Sequence, residues 1–209
     1  MRKNTAQLVL GVVTLVIGGA VAVMGAVVGV VSGPDDTIQT GQHRVVASSR
    51  ALIARAADVS PGAIPDGIGK ITIRIDARSA AKPIFIGVAP GPAAESYLSG
   101  TAVRTVRGLE LWPYRLHTAD GSGAAIPAPP QEKAFWAASA NGTSPQLTWQ
   151  VAEGDFRLVI MNSDTSTDVA ADVRFALTIP WLFEIALVTL VFGLLIVAGG
   201  VTLVDRSSR

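Results

Sequence analysis

The chain has 209 residues, 49% hydrophobic and only 16% charged, which is too apolar for an ordinary soluble protein. Its 17 Lys/Arg against 16 Asp/Glu leave a net charge of +1, a balance that argues against a nucleic-acid binder with its basic patch. It has no cysteine, so disulfides and thiolate metal sites are excluded.

In chain order, residues 1–7 form a short basic tip carrying Arg2 and Lys3. Residues 8–31 are an apolar run long enough to cross roughly 30 Å of hydrocarbon. The run exceeds the roughly 7–15 apolar residues of a cleaved signal peptide, so a retained transmembrane helix is expected. Residues 32–41 hold the breaker-rich Ser32-Gly-Pro-Asp-Asp36 and read as a linker.

From 42 to 179 strand-like runs dominate. Lys70 to Asp76 alternates, with Ile71, Ile73 and Ile75 on one face. Leu147, Trp149 and Val151 share a face in the same way, and Phe156 to Met161 is apolar enough for a central strand. Further strands are predicted over 42–47, 51–59, 84–88, 102–106, 109–117, 134–139 and 169–179. Only Pro92 to Leu98 reads as helical, with proline at the first position and Gly100 behind it. Gly121 to Gln131 is a mobile loop by composition. About ten short strands with turns between them predict an antiparallel β-sandwich of Greek-key or jelly-roll style.

Val169 to Ile179 alternates as a half-buried strand and meets a second apolar run, residues 180–204, across Pro180. This run is the second expected transmembrane helix, and residues 205–209, with Arg206 and Arg209, form a short tail. Cationic residues outside both runs place both termini in the cytoplasm and the central domain outside the plasma membrane. Trp181 suits the aromatic belt at the outer interface. Tails this short leave no room for a signalling domain.

Small residues recur every seven positions in both helices, as Gly11, Gly18 and Gly25 and as Ala186, Gly193 and Gly200; Gly25 and Gly29 also form a GxxxG. Such spacing lets helix backbones approach closely in lipid. It serves either docking, onto a second copy or another membrane protein, or packing of the two helices on each other. Glu184 lies about one turn inside the second helix, where it reaches water or headgroups, so ion coupling is disfavoured.

The catalytic inventory is poor. There are two histidines, His43 and His117, and no HExxH, GxSxG or Walker loop. Ser48 and Ser49 lie close to His43 in sequence, which is not triad geometry. Asn162 to Asp168 places side-chain oxygens at alternate positions, as calcium loops do, but lacks the central Gly and the closing Glu; a polar turn is the plainer reading. Asn141-Gly-Thr143 fits a glycosylation sequon and reads as a turn. Trp112, Trp136, Trp149 and Phe135 could line a ligand face, but each stands where core filling is the ordinary role; Trp112 and Tyr114 are the best candidates for a ligand surface. Arg104, Arg107 and Arg115 read as a solvated face. No cofactor is expected, and no enzyme.

Pro83 to Pro90, Tyr97-Leu-Ser-Gly100, Phe135 to Ser139, Gln146 to Trp149 and Gly154 to Asn162 follow one another in an order that resembles a family of uncharacterised actinobacterial membrane proteins. That resemblance implies an extracytoplasmic β-rich domain between two transmembrane helices, and no activity or site. Where the family pattern places a His–acidic pair, this chain has Ala102 to Thr105. The expectation is a non-enzymatic, membrane-anchored accessory or interaction subunit whose partners are the lipid bilayer and another envelope protein or itself. The alternative is an independent module binding an envelope glycan or peptide.

Overall fold

The computed structural model describes residues 2–60, 62–63, 70–111 and 114–208, with the side chains at 2–8, 109–111, 114–116 and 207–208 outside the description. The chain is mainly β, with an apolar helix at each end, and divides into two compact units. One comprises residues 1–38 and 178–209, the other 39–177.

The first unit is a helix pair, α1 (Arg2–Ser32) and α3 (Leu182–Ser208). They run antiparallel, since Gly11 meets Val204 while Gly25 meets Leu190. The lengths agree with the sequence: the stretches apolar enough to cross a membrane are Val9–Ser32 and Leu182–Arg206.

The strands form two sheets, which apart from Thr37, Ile38 and Thr178 belong to the second unit. The first holds β1 (Thr37–Gln39), β2 (His43–Ala47), β4 (Thr72–Arg78), β9 (Gln146–Gln150) and β11 (Val169–Thr178). Its order is β1-β11-β4-β9, with β2 also on β11. The second holds β3 (Ala51–Val59), β5 (Ile84–Pro90), β6 (Thr101–Leu111), β7 (Tyr114–Ala124), β8 (Ala138–Gly142) and β10 (Gly154–Asn162). Its order is β7-β6-β3-β10-β5-β8.

The two sheets share one core. Ile75, Leu147, Trp149 and Val173 of the first meet Leu52, Ile86, Val88, Leu158 and Ile160 of the second. Alternation on β4 and β9 follows from this, since only one face of those strands is covered. In β5 and in the Leu158–Met161 stretch of β10 every residue is apolar because both faces are covered. Their outer face carries a second cluster in which Phe85, Val159 and Met161 pack under Ala94 and Leu98. The short helix α2 (Gly91–Tyr97) supplies Ala94, and Phe135 and Trp136 close over the same patch.

Four expectations change. The sheets are not wholly antiparallel, because β3 pairs with β6 in parallel, Ala51 opposite Val103 through Ala54 opposite Val106. The segment predicted as one strand over 109–117 is instead a hairpin, with Leu109 opposite Leu116 and Leu111 opposite Tyr114. The strand predicted from Ala134 begins at Ala138, because Phe135 and Trp136 leave the sheet to stack with Tyr97 and Phe85 at centroid distances of 4.9–5.7 Å. The glycine-rich stretch from Gly121 is strand as far as Ala124, where Gly123 lies so close to the backbone of Gly100 that a side chain has no room.

Ile160 is 1% exposed between the sheets and Ile126 is 66% exposed. Ile160→Ala is therefore expected to cost about 2–5 kcal/mol of stability and Ile126→Ala within about 0.5 kcal/mol of nothing. Denaturant titration of the two variants checks this contrast.

Candidate functional site

The small residues singled out in the helices all lie on the α1–α3 contact. A Cβ on Gly25 would stand 2.5 Å from the backbone nitrogen of Leu190 and 2.7 Å from the carbonyl oxygen of Ala186. One on Gly18 would meet Val197 N at 2.8 Å, one on Gly200 would meet Leu15 N at 3.0 Å, and one on Gly11 would meet Val204 N at 3.1 Å. Gly193 abuts the backbone of Ala22 in the same way. Gly29 faces the Ala186 methyl at 3.6 Å, with more space. Backbone atoms cannot yield as a flexible side chain can, so these positions set how closely the helices approach. Of the two uses the spacing allowed, the structure displays packing within the chain.

The opening of α3 is held by a residue that the sequence reading treated as linker. Asp36 accepts from the backbone N–H of Trp181 at 3.0 Å and of Phe183 at 2.8 Å, answering donors that a helix N-terminus leaves without partners. Its own carbonyl accepts from Ile179 N–H at 3.0 Å, and the hydroxyls of Thr37 and Thr178 meet at 2.9 Å. Asp36 has a φ of 55° and Trp181 one of 67°, so the clasp holds two non-glycine residues in the left-handed region. The signal available in the sequence was an Asp after Gly-Pro, a capping residue type, but its target helix lies some 145 positions away. Glu184 is exposed in the first turn of α3, where its charge suits the helix dipole.

Between the sheets of the second unit lies a cavity of about 250 Å³. Its walls are largely hydrocarbon, with Ile75, Val88, Trp149, Leu158 and Ile160 buried and Ile73 and Phe175 half-buried. Its cause is legible in β3, whose inner face runs Leu52, Ala54, Ala56: two methyl groups stand where larger side chains would fill the space. The parallel pairing of β3 with β6 also stops at Ala54 and Val106, so β3 runs on from there along β10. The polar groups at its edge have partners of their own. Thr40 Oγ1 accepts from Phe175 N–H at 3.1 Å, and Arg55 Nη1 donates to Asp58 at 3.0 Å.

An open depression of about 600 Å³ on the second sheet is lined by Arg55, Arg107, Arg157 and Glu95. Arg157 donates to Asp155 and, at 3.1 Å, to Glu95, and both acids hold its guanidinium charged. Arg55 is paired with Asp58 at 3.0 Å.

The remaining candidates resolve into structure. In the Asn162–Asp168 run, Asn162 Nδ2 donates to the carbonyls of Ser166 and Thr167 at 3.2 and 2.8 Å, as a turn requires. Asp164 accepts from the Ser166 hydroxyl and backbone N–H at 2.5 and 3.0 Å, bonds that hold its carboxyl below the usual range, with Lys82 adding to the effect at 3.5 Å. Among the described residues no group of three or more His, Asp or Glu is placed to hold a metal ion. Ser49 Oγ donates to the carbonyl of Ala51, while His43 stands at the cavity rim. Arg104 grips Asp120 with two nitrogens, at 2.6 and 2.8 Å, and reaches the Val46 carbonyl with the third. Tyr97 donates to the Ala128 carbonyl at 2.6 Å, and burial pushes its phenol up to about 12. Trp136 Nε1 donates to Pro130, and Trp149 packs on Phe156 in the core. Of the proposed ligand surface, Trp112 and the side chain of Tyr114 lie outside the described residues.

No family model matches the chain. No curated protein and no solved structure matches it either.

Gly193→Leu is expected to cost about 1–3 kcal/mol by forcing the helices apart, and Asp36→Ala about 0.5–2 kcal/mol through the lost cap. Unfolding of each variant in mixed micelles measures both. Asp164, with its carboxyl held low, contributes stability that is present at neutral pH and lost as pH falls below the ordinary value of about 3.9. Asp164→Asn should therefore flatten the decline on acidification, read from midpoints at stepped pH.

Proposed function

We propose that this is a two-pass membrane protein, both termini cytoplasmic, that carries an extracytoplasmic β-sandwich and serves as an accessory or interaction subunit of an envelope complex. The observation that carries the reading is the helix pair. Its small residues are spent inside the contact, while Val16, Val23, Val30, Val188, Phe192 and Leu195 point outward and are exposed. An outward face of bare hydrocarbon fits lipid, and it fits water poorly. Greek-key connectivity, the sandwich form and kinship with the actinobacterial membrane proteins belong to the same proposal.

The interaction role rests on what remains for docking once the glycine seam is occupied. Candidate contacts are then the surface of the β domain and the outward helix faces. Extraction of the full chain in mild detergent, with affinity capture and mass measurement of the intact complex, tests the role. A reproducible partner at fixed stoichiometry that survives Gly18→Ala is the expected result. A lone chain from every membrane preparation would sink the accessory-subunit reading.

A further inference from the structure

We infer that the cavity between the sheets is a binding site for the hydrocarbon tail of a single-chain amphiphile, of the fatty-acid class, whose head stays at the rim. The inference stands apart from the accessory-subunit reading, because it draws only on the interior of the second unit. Protein cores pack to the density of organic crystals and seldom leave hollows larger than a water molecule. Here about 250 Å³ is walled mainly by aliphatic and aromatic side chains and opens at an edge carrying Thr40, His43 and Arg55, and the inward residues nearest the gap, Ala54 and Ala56, are the smallest hydrocarbon side chains available. An apolar hollow of this kind takes up apolar guests and rejects water, which needs two to four polar partners.

Shape and polarity narrow the guest. At about 30 Å³ a group, roughly the share of a water molecule, the volume holds about eight methylenes of one chain, so a two-chain lipid would have to leave its second tail outside. Among the buried side chains lining the cavity, the indole N–H of Trp149 is the one polar group, and none carries a charge; Thr40, His43 and Arg55 stand at the edge. A sugar or a peptide would bury polar groups against that wall without partners, which disfavours both. A linear alkyl tail buries none. Trp149, 5% exposed on the cavity wall, provides a built-in reporter.

The test uses the full chain in nanodiscs of unlabelled lipid, titrated with bromododecanoate, whose bromine quenches tryptophan on contact. The expected result is a saturable component of the quench, above the non-saturating quench of interfacial Trp181, that is lost in Trp149→Phe and weakened at least tenfold in Ala56→Leu, which fills the hollow. If Ala56→Leu does not fold, Ala54→Val takes its place, with folding checked by circular dichroism. Chain length gives an arm that needs no variant. Affinity should rise about fourfold for each methylene added, as burial of one such group implies, and then level off once the cavity is full. Quenching equal in Trp149→Phe, or affinity that climbs with every methylene as bilayer partitioning does, overturns the inference. So does quenching of Trp149 by a brominated two-chain phospholipid in place of the free acid.

Discussion

The backbone-to-backbone approach of α1 and α3 is the constraint on which the rest of the chain depends. Where Gly25 meets Leu190 and Gly193 meets Ala22 there is no side chain to hold the helices apart, so main-chain atoms make the contact. In lipid two helices gain nothing from hiding apolar surface, and dispersion between closely packed atoms is what remains to join them. The same pair brings residues 36–37 against residues 178–183, where Asp36 caps α3 and Thr37 meets Thr178. Both ends of the β domain's chain are therefore gathered at one clasp. Fixing the ends of a long segment lowers the entropy its unfolded form can gain, so the clasp favours the folded sheets without touching their core.

Elements that depend on local pattern were readable in the sequence. Both helices, the alternation in β4, β9 and β11, the short helix after Pro90 and the polar turn after Asn162 fall within a few residues of their expected places. Elements that depend on distant partners were not. Nothing in Ala51–Ala54 says that its neighbour will be Val103–Val106 running parallel, and nothing in Phe135-Trp136 says that these rings will stack on Tyr97 instead of entering a strand. Asp36 looked like a turn residue because its target is remote in sequence. The cavity left a trace, the Ala54–Ala56 pair on the inner face of β3, but two alanines in a strand are ordinary until the opposite sheet is known.

The two units use small residues to opposite ends. In the helices glycine removes volume so that backbones can touch, and the contact closes. In β3 alanine removes volume where no neighbour moves in to fill it, and a hollow remains. A packed interior would be the more stable solution, so the hollow sets stability against the capacity to accept a guest. Its polar edge is already satisfied within the domain, which leaves the apolar interior as the distinguishing chemistry.

The central claim is that the helix pair spans a membrane and leaves the β domain outside the cell. Because the chain has no native cysteine, single cysteines can be introduced on a silent background. We would place one by Ser122→Cys on an exposed position of β7 and another by Ser208→Cys beyond the apolar stretch of α3. An impermeant maleimide applied to intact cells should label the first and reach the second only after permeabilisation. Protection of the cysteine at position 122 in intact cells, or equal labelling of both without permeabilisation, would contradict the account.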